Sequence, residues 1–74
     1  MDLCSVIGTN IRKLRTDHGL SQEELAYRAG IDRSYLSEIE NGQKNLGVMI
    51  LEAIAQALEV EATALFRGYR RSPK

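Results

Sequence analysis

Between Arg33 and Asn41 the chain gathers one arginine, two serines, one tyrosine, two glutamates and an asparagine, interrupted only by Leu36 and Ile39. Stepping about 100° per residue around a helix puts Leu36 and Ile39 together on one side. Ser34, Ser37, Glu38 and Asn41 fall on the opposite side, and Arg33 and Tyr35 flank it. Such an outer face has no apolar seam for a coiled-coil partner. It presents hydroxyls, an amide, a guanidinium and a phenol, groups that exchange hydrogen bonds with a polar surface. Around Cys4 and His18 no nucleophile–base pairing is found, and the chain has no glycine-rich phosphate loop and no cluster of metal ligands. Enzymatic activity, a metal, a cofactor and a small-molecule ligand are therefore not expected.

Local signals mark the elements that must hold this face. Ser21 is a good helix N-cap, and Glu24 three residues on completes a capping box. Leu20 before the cap and Leu25 inside the helix form a hydrophobic staple, and Gly30 ends the helix after about Ala29. Asp32 is the N-cap candidate for the next helix, Arg33 to Asn41, which Gly42 stops. Upstream, Leu3, Ile7, Ile11 and Leu14 mark one face of an amphipathic helix over Asp2 to His18. His18 reads as a C-terminal cap or a partly buried filler, and Gly19 as the stop. Downstream, Gln43 to Gly47 is a polar loop. A fourth helix follows over Val48 to Leu58, and Ala62, Ala64, Leu65, Phe66 and Tyr69 predict a fifth, short one. The expected architecture is all-α: one domain over residues 1–69 with a basic tail over 70–74.

A chain of 74 residues buries about 60% of its unfolded surface, enough for one small core but not for a second domain. Cys4 is the only cysteine, so no internal disulfide forms, and Cys4 reads as a small filler near a helix start. No apolar run approaches the roughly 20 residues of a membrane span. The start lacks the basic region of a signal peptide, so a cytoplasmic location is expected. Ten basic and ten acidic residues cancel, which argues against a nucleic-acid partner until their distribution is considered. Arg12, Lys13 and Arg15 form one basic cluster and Arg67, Arg70, Arg71 and Lys74 another, while Glu23, Glu24, Glu52, Glu59 and Glu61 lie elsewhere.

Ala26 supplies the small residue that a close helix crossing needs. Gly30 supplies the tight turn, and Leu36 and Ile39 pin the second helix to a core. These are the mechanical requirements of a helix-turn-helix over residues 21–41. The segment resembles the helix-turn-helix of phage repressor and Cro proteins, the Xre-like family. The likeness extends through Asn10-Ile11-Arg12-Lys13-Leu14-Arg15, Gly19-Leu20-Ser21-Gln22-Glu23-Glu24-Leu25-Ala26 and Ile39-Glu40-Asn41-Gly42. It implies a five-helix, lambda-repressor-like domain that binds double-stranded operator DNA in the major groove as a homodimer.

The resemblance also assigns roles. Gln22 corresponds to a glutamine that meets a phosphate and braces the recognition helix. Arg33, Ser34, Tyr35, Ser37 and Glu38 occupy the base-facing positions, and Arg33 is suited to guanine O6 and N7. Glu38 is expected to accept from cytosine, to repel phosphates or to orient Arg33. Asn41, Lys44 and Asn45 fall by the DNA backbone. Arg15 and Glu40 correspond to an ion pair that ties the first helix to the end of the recognition helix. Leu46, Val48, Leu65, Phe66 and Tyr69 are the candidates for a dimer interface, the alternative being that they complete the monomer core. The run Ile31 to Ser37 resembles restriction-modification controller proteins in particular. A Cro-like repressor, an antitoxin and a protein-interaction module on the same fold are the other readings.

Overall fold

The computed structural model describes residues 2–70. Four α-helices follow one another: α1 (Leu3–Asp17), α2 (Gln22–Ala29), α3 (Arg33–Glu40) and α4 (Val48–Ala57). A 3-10 turn over Ala62–Phe66 closes the domain, and no strand occurs among the described residues. The expected fifth helix is thus this 3-10 turn. Five residues are too few to offset the cost of nucleating an α-helix, and short runs settle for the tighter 3-10 pattern. Of the basic tail over 70–74, residues 71–74 lie outside the described residues. No described helix is long and apolar enough to cross a membrane.

Capping sets the helix starts. The Ser5 backbone N–H donates to Asp2 Oδ1 at 2.8 Å, and that bond holds the Asp2 carboxyl below its usual pKa. At α2 the capping box is complete: Glu24 N–H donates to Ser21 Oγ at 3.0 Å, and Ser21 N–H to Glu24 Oε1 at 3.1 Å. Asp32 does stand at the N-cap of α3, but its side chain makes no capping hydrogen bond.

All four helices end alike. A residue in the left-handed conformation is followed by an N–H that bonds back five residues: Leu20 to Arg15 O, Ile31 to Ala26 O, Gln43 to Glu38 O and Val60 to Ala55 O, at 2.9–3.0 Å. This is the Schellman ending. Three of the left-handed residues are glycines (Gly19, Gly30, Gly42), and the fourth is Glu59, at φ 58°.

The core gathers Ile7 and Ile11 of α1, Leu25 and Ala26 of α2, Leu36 and Ile39 of α3, Ile54, Ala55 and Leu58 around α4, and Leu20 and Leu65 from the connections. Helix α2 packs on both α3 and α4, and α1 packs on α3 and on the 3-10 turn. Two contacts fix α1. Gly8 lets the backbones of α1 and α3 touch, because a Cβ there would collide with the carbonyl oxygens of Ile39 and Glu40. Asn10 Nδ2 donates to Leu65 O and Arg67 O, both at 2.9 Å, and so secures the end of the 3-10 turn.

A left-handed conformation costs an L-residue roughly 1–2 kcal/mol that glycine avoids. Glu59→Gly is therefore expected to raise stability by about 1 kcal/mol, net of the extra freedom glycine adds to the unfolded chain. The urea midpoint should rise with an unchanged slope. An unchanged or lower midpoint contradicts the strain assigned to Glu59.

Candidate nucleic-acid interface

Helix α3 turns Leu36 and Ile39 into the core and leaves its other face outward. Arg33 and Ser34 are exposed, while Tyr35, Ser37 and Glu38 are half-buried. Among the described residues, the charge facing Glu38 is not Arg33 but Lys44: the Nζ lies 3.9 Å from Glu38 Oε1, and both side chains remain about half exposed.

One group at the inner end of α3 organises the surroundings. The Glu40 side chain is fully buried and receives four donors. Arg15 gives Nε to Oε2 at 2.7 Å and Nη2 to Oε1 at 3.1 Å, a bidentate pair. Gln22 Nε2 donates to Oε1 at 3.0 Å, and Arg12 Nε approaches the same oxygen at 3.5 Å. Arg15 also donates Nη1 to Leu20 O at 2.8 Å, which ties in the connection between α1 and α2. Burial pushes the Glu40 carboxyl up, but bonds from Arg15 and Gln22 and the charge of Arg15 outweigh it. The net pKa lies below the ordinary glutamate value. Gln22 and the expected pair Arg15 and Glu40 thus form one cluster joining α1, α2 and α3.

The remaining residues expected at the DNA backbone are engaged within the chain. Asn41, the C-cap residue of α3, accepts from Arg12 Nη2 through Oδ1 at 2.7 Å. Asn45 Oδ1 accepts from Cys4 Sγ at 2.9 Å, so Cys4 is a hydrogen-bond donor as well as a filler. His18 stands at the C-cap of α1, exposed, with Nδ1 2.8 Å from Leu14 O. Lys44 is exposed beside Glu38.

The interface candidates separate. Leu65 is fully buried in the monomer core and has no surface to offer a second subunit, which corrects its place among them. Leu46 and Phe66 are half-buried against that core, whereas Val48 and Tyr69 are 78% and 42% exposed. Met49, absent from the sequence-based candidates, is exposed beside Val48, and Tyr27 on α2 is exposed too. Arg12 is the other addition. Its place in a basic cluster was legible, but its contact with Asn41 was not.

Two consecutive helices joined at a left-handed glycine, the second with a buried inner face and an open polar outer face, define a helix-turn-helix domain. The helix-turn-helix family matches residues 11–73, and the chain belongs to that family of DNA-binding transcriptional regulators. It is 42% identical over 73 residues to the HTH-type transcriptional regulator y4dJ of Sinorhizobium fredii, which spans 99% of this chain and 95% of the relative. It is 40% identical over 60 residues to the control protein C.MunI of a Mycoplasma species, which spans 80% of this chain and 81% of the relative. Among solved structures, the restriction-modification controller protein C.AhdI of Aeromonas hydrophila superposes with a TM-score of 0.83 at 43% identity. That superposition covers 85% of this chain and 96% of that one.

Removing one partner of a buried ion pair costs about 3–5 kcal/mol. Arg15→Ala is expected to fall near the lower limit at neutral pH, since Arg12 and Gln22 still reach Glu40. A carboxylate whose folded pKa is depressed stabilises the fold above its unfolded pKa, and that contribution is lost as pH falls through the folded value. The penalty of Arg15→Ala should therefore shrink below about pH 4.3, the usual glutamate range. Denaturant titrations at neutral and acid pH check this, and a penalty absent at neutral pH, or constant with pH, contradicts it.

Proposed function

We propose that the protein is a sequence-specific transcriptional regulator that sets α3 in the major groove and binds a two-fold symmetric operator as a homodimer. The observation that carries this reading is the α3 face itself: exposed Arg33 and Ser34 with half-buried Tyr35, Ser37 and Glu38, on a helix whose inner side is locked into the core. Arg33 reads guanine through O6 and N7, and Tyr35 meets a thymine methyl or a sugar. Ser34 and Ser37 make short or water-bridged contacts. Glu38 accepts from cytosine N4 once Lys44 turns to a phosphate. Gln22, Asn41, Lys44 and Asn45 line the DNA backbone, with the α2 N-terminus adding N–H groups near Gln22.

The neutral net charge is compatible with this reading because affinity depends on the local field at the interface. Doubling the reading helix across a two-fold axis places half-sites about one DNA turn apart. Val48, Met49 and Tyr69 offer exposed apolar surface for that pairing, and Leu46 and Phe66 offer what their packing on the core leaves open. The controller proteins C.AhdI and C.MunI among the relatives favour a restriction-modification controller. Variants of another controller protein, C.Esp1396I, replace an arginine and a tyrosine two positions apart, the order and spacing of Arg33 and Tyr35 here. A protein-interaction role on the same fold predicts no DNA complex at low salt.

Selection from random duplex DNA should return a two-fold symmetric consensus. Against that consensus, Arg33→Ala is expected to cost about 1–3 kcal/mol and to relax preference at one position per half-site. Lys44→Ala should weaken all sequences alike. Absence of any consensus, or an Arg33→Ala protein with unaltered preference, contradicts the reading.

A further inference from the structure

We propose that Arg12 and Asn41 together form a clamp for one DNA phosphate at the C-terminal end of α3. The proposal rests on the DNA-binding reading above and adds to it a residue from α1. Glu40 is shared by two arginines of unequal exposure: the side chain of Arg15 is 13% exposed and that of Arg12 is 51% exposed. One carboxylate and two guanidiniums leave a net charge of +1. Arg15 holds the carboxylate in the tight bidentate pair, so the surplus lies on Arg12, at the surface. That positive charge stands directly beside Asn41, the C-cap residue of the reading helix.

The hydrogen bond between them has a direction set by chemistry. A guanidinium has donors only, so the Asn41 atom 2.7 Å from Arg12 Nη2 is the carbonyl oxygen Oδ1. The carboxamide NH2 of Asn41 then points away from Arg12, on a residue that is itself exposed. Arg12 retains N–H groups beyond the two that meet Glu40 and Asn41. Two joined, exposed residues therefore offer a charged donor and an oriented neutral donor, the pair of groups that suits the two non-bridging oxygens of a phosphodiester. Lys13, the next residue on α1, provides an internal comparison. It pairs with Asp17 at 3.4 Å and borders a groove with Ala64 and Arg67, away from α3.

The test is the salt dependence of binding to a random-sequence duplex, measured by fluorescence anisotropy, with the melting of each variant recorded alongside. Each phosphate neutralised adds about 0.9 to the slope of log K against log salt. R12Q should lower the slope by about one, while K13Q, with the same charge change, leaves it unaltered. R12K keeps the charge and should keep the slope, which preserves the test if R12Q fails to fold. N41A should bind roughly tenfold more weakly at unchanged slope, as for one lost charge-assisted hydrogen bond, and most of that loss should vanish in the R12Q background. An unchanged slope in folded R12Q, a lowered slope in folded R12K, or an equal drop in K13Q overturns the clamp. If the wild-type protein shows no salt-dependent binding, the DNA-binding reading itself fails and the clamp falls with it.

Discussion

The buried carboxylate of Glu40 is the constraint on which the rest of the arrangement depends. A bare carboxylate removed from water costs several kcal/mol, so it persists only when its lone pairs are taken up. Here they are taken up by side chains from two other elements: Arg15 and Arg12 of α1 and Gln22 of α2. A buried ion pair of this kind is weak evidence for net stability, because apolar residues of the same shape often do as well. Its effect is geometric. Hydrogen bonds are directional where apolar packing is not, and four donors converging on one group leave α3 little room to roll or slide. Gly8 complements this by letting the α3 carbonyls rest directly on α1.

In the proposed function, rigidity at the inner end of α3 matters for its outer face. A reading helix discriminates between bases through hydrogen bonds whose partners are fixed in the groove, so any freedom of the helix costs order on binding. The same cluster also solves the problem of a chain with no net charge. It withdraws the Glu40 charge into the interior and leaves positive charge on Arg12 at the surface. On the other side of α3, Lys44 offsets Glu38. The α3 face is thus relieved of its acids by pairing, without a strongly basic composition.

The parts legible in the sequence are those governed by local chemistry. The Ser21–Glu24 capping box, the stop at Gly30, the small residue at Ala26 and the inward Leu36 and Ile39 all follow from spacing within a helix or one turn beyond it. The pair Arg15 and Glu40 came from family resemblance, since 25 residues separate them and no periodicity connects them. What escaped depends on contacts between distant segments. Arg12 meets Asn41 across 29 residues, Cys4 meets Asn45 across 41 and Asn10 meets Leu65 across 55. Leu65 shows the limit most clearly. Its neighbours read as a surplus apolar cluster, but the 3-10 turn carries this one side chain into the core while Tyr69 remains outside. Glu59 hid the fourth Schellman ending because no glycine marks it.

If Glu40 holds α3 in place, loosening should be local when its charge is removed. Amide hydrogen exchange on Glu40→Gln resolves this residue by residue. In Glu40→Gln, α3 and the first turn of α2 should lose protection well beyond the global change, while the amides of α1 around Ile7 and Ile11 and those of α4 follow global stability alone. A uniform loss of protection across all four helices would contradict it, for Glu40 would then contribute to stability without specifically positioning α3.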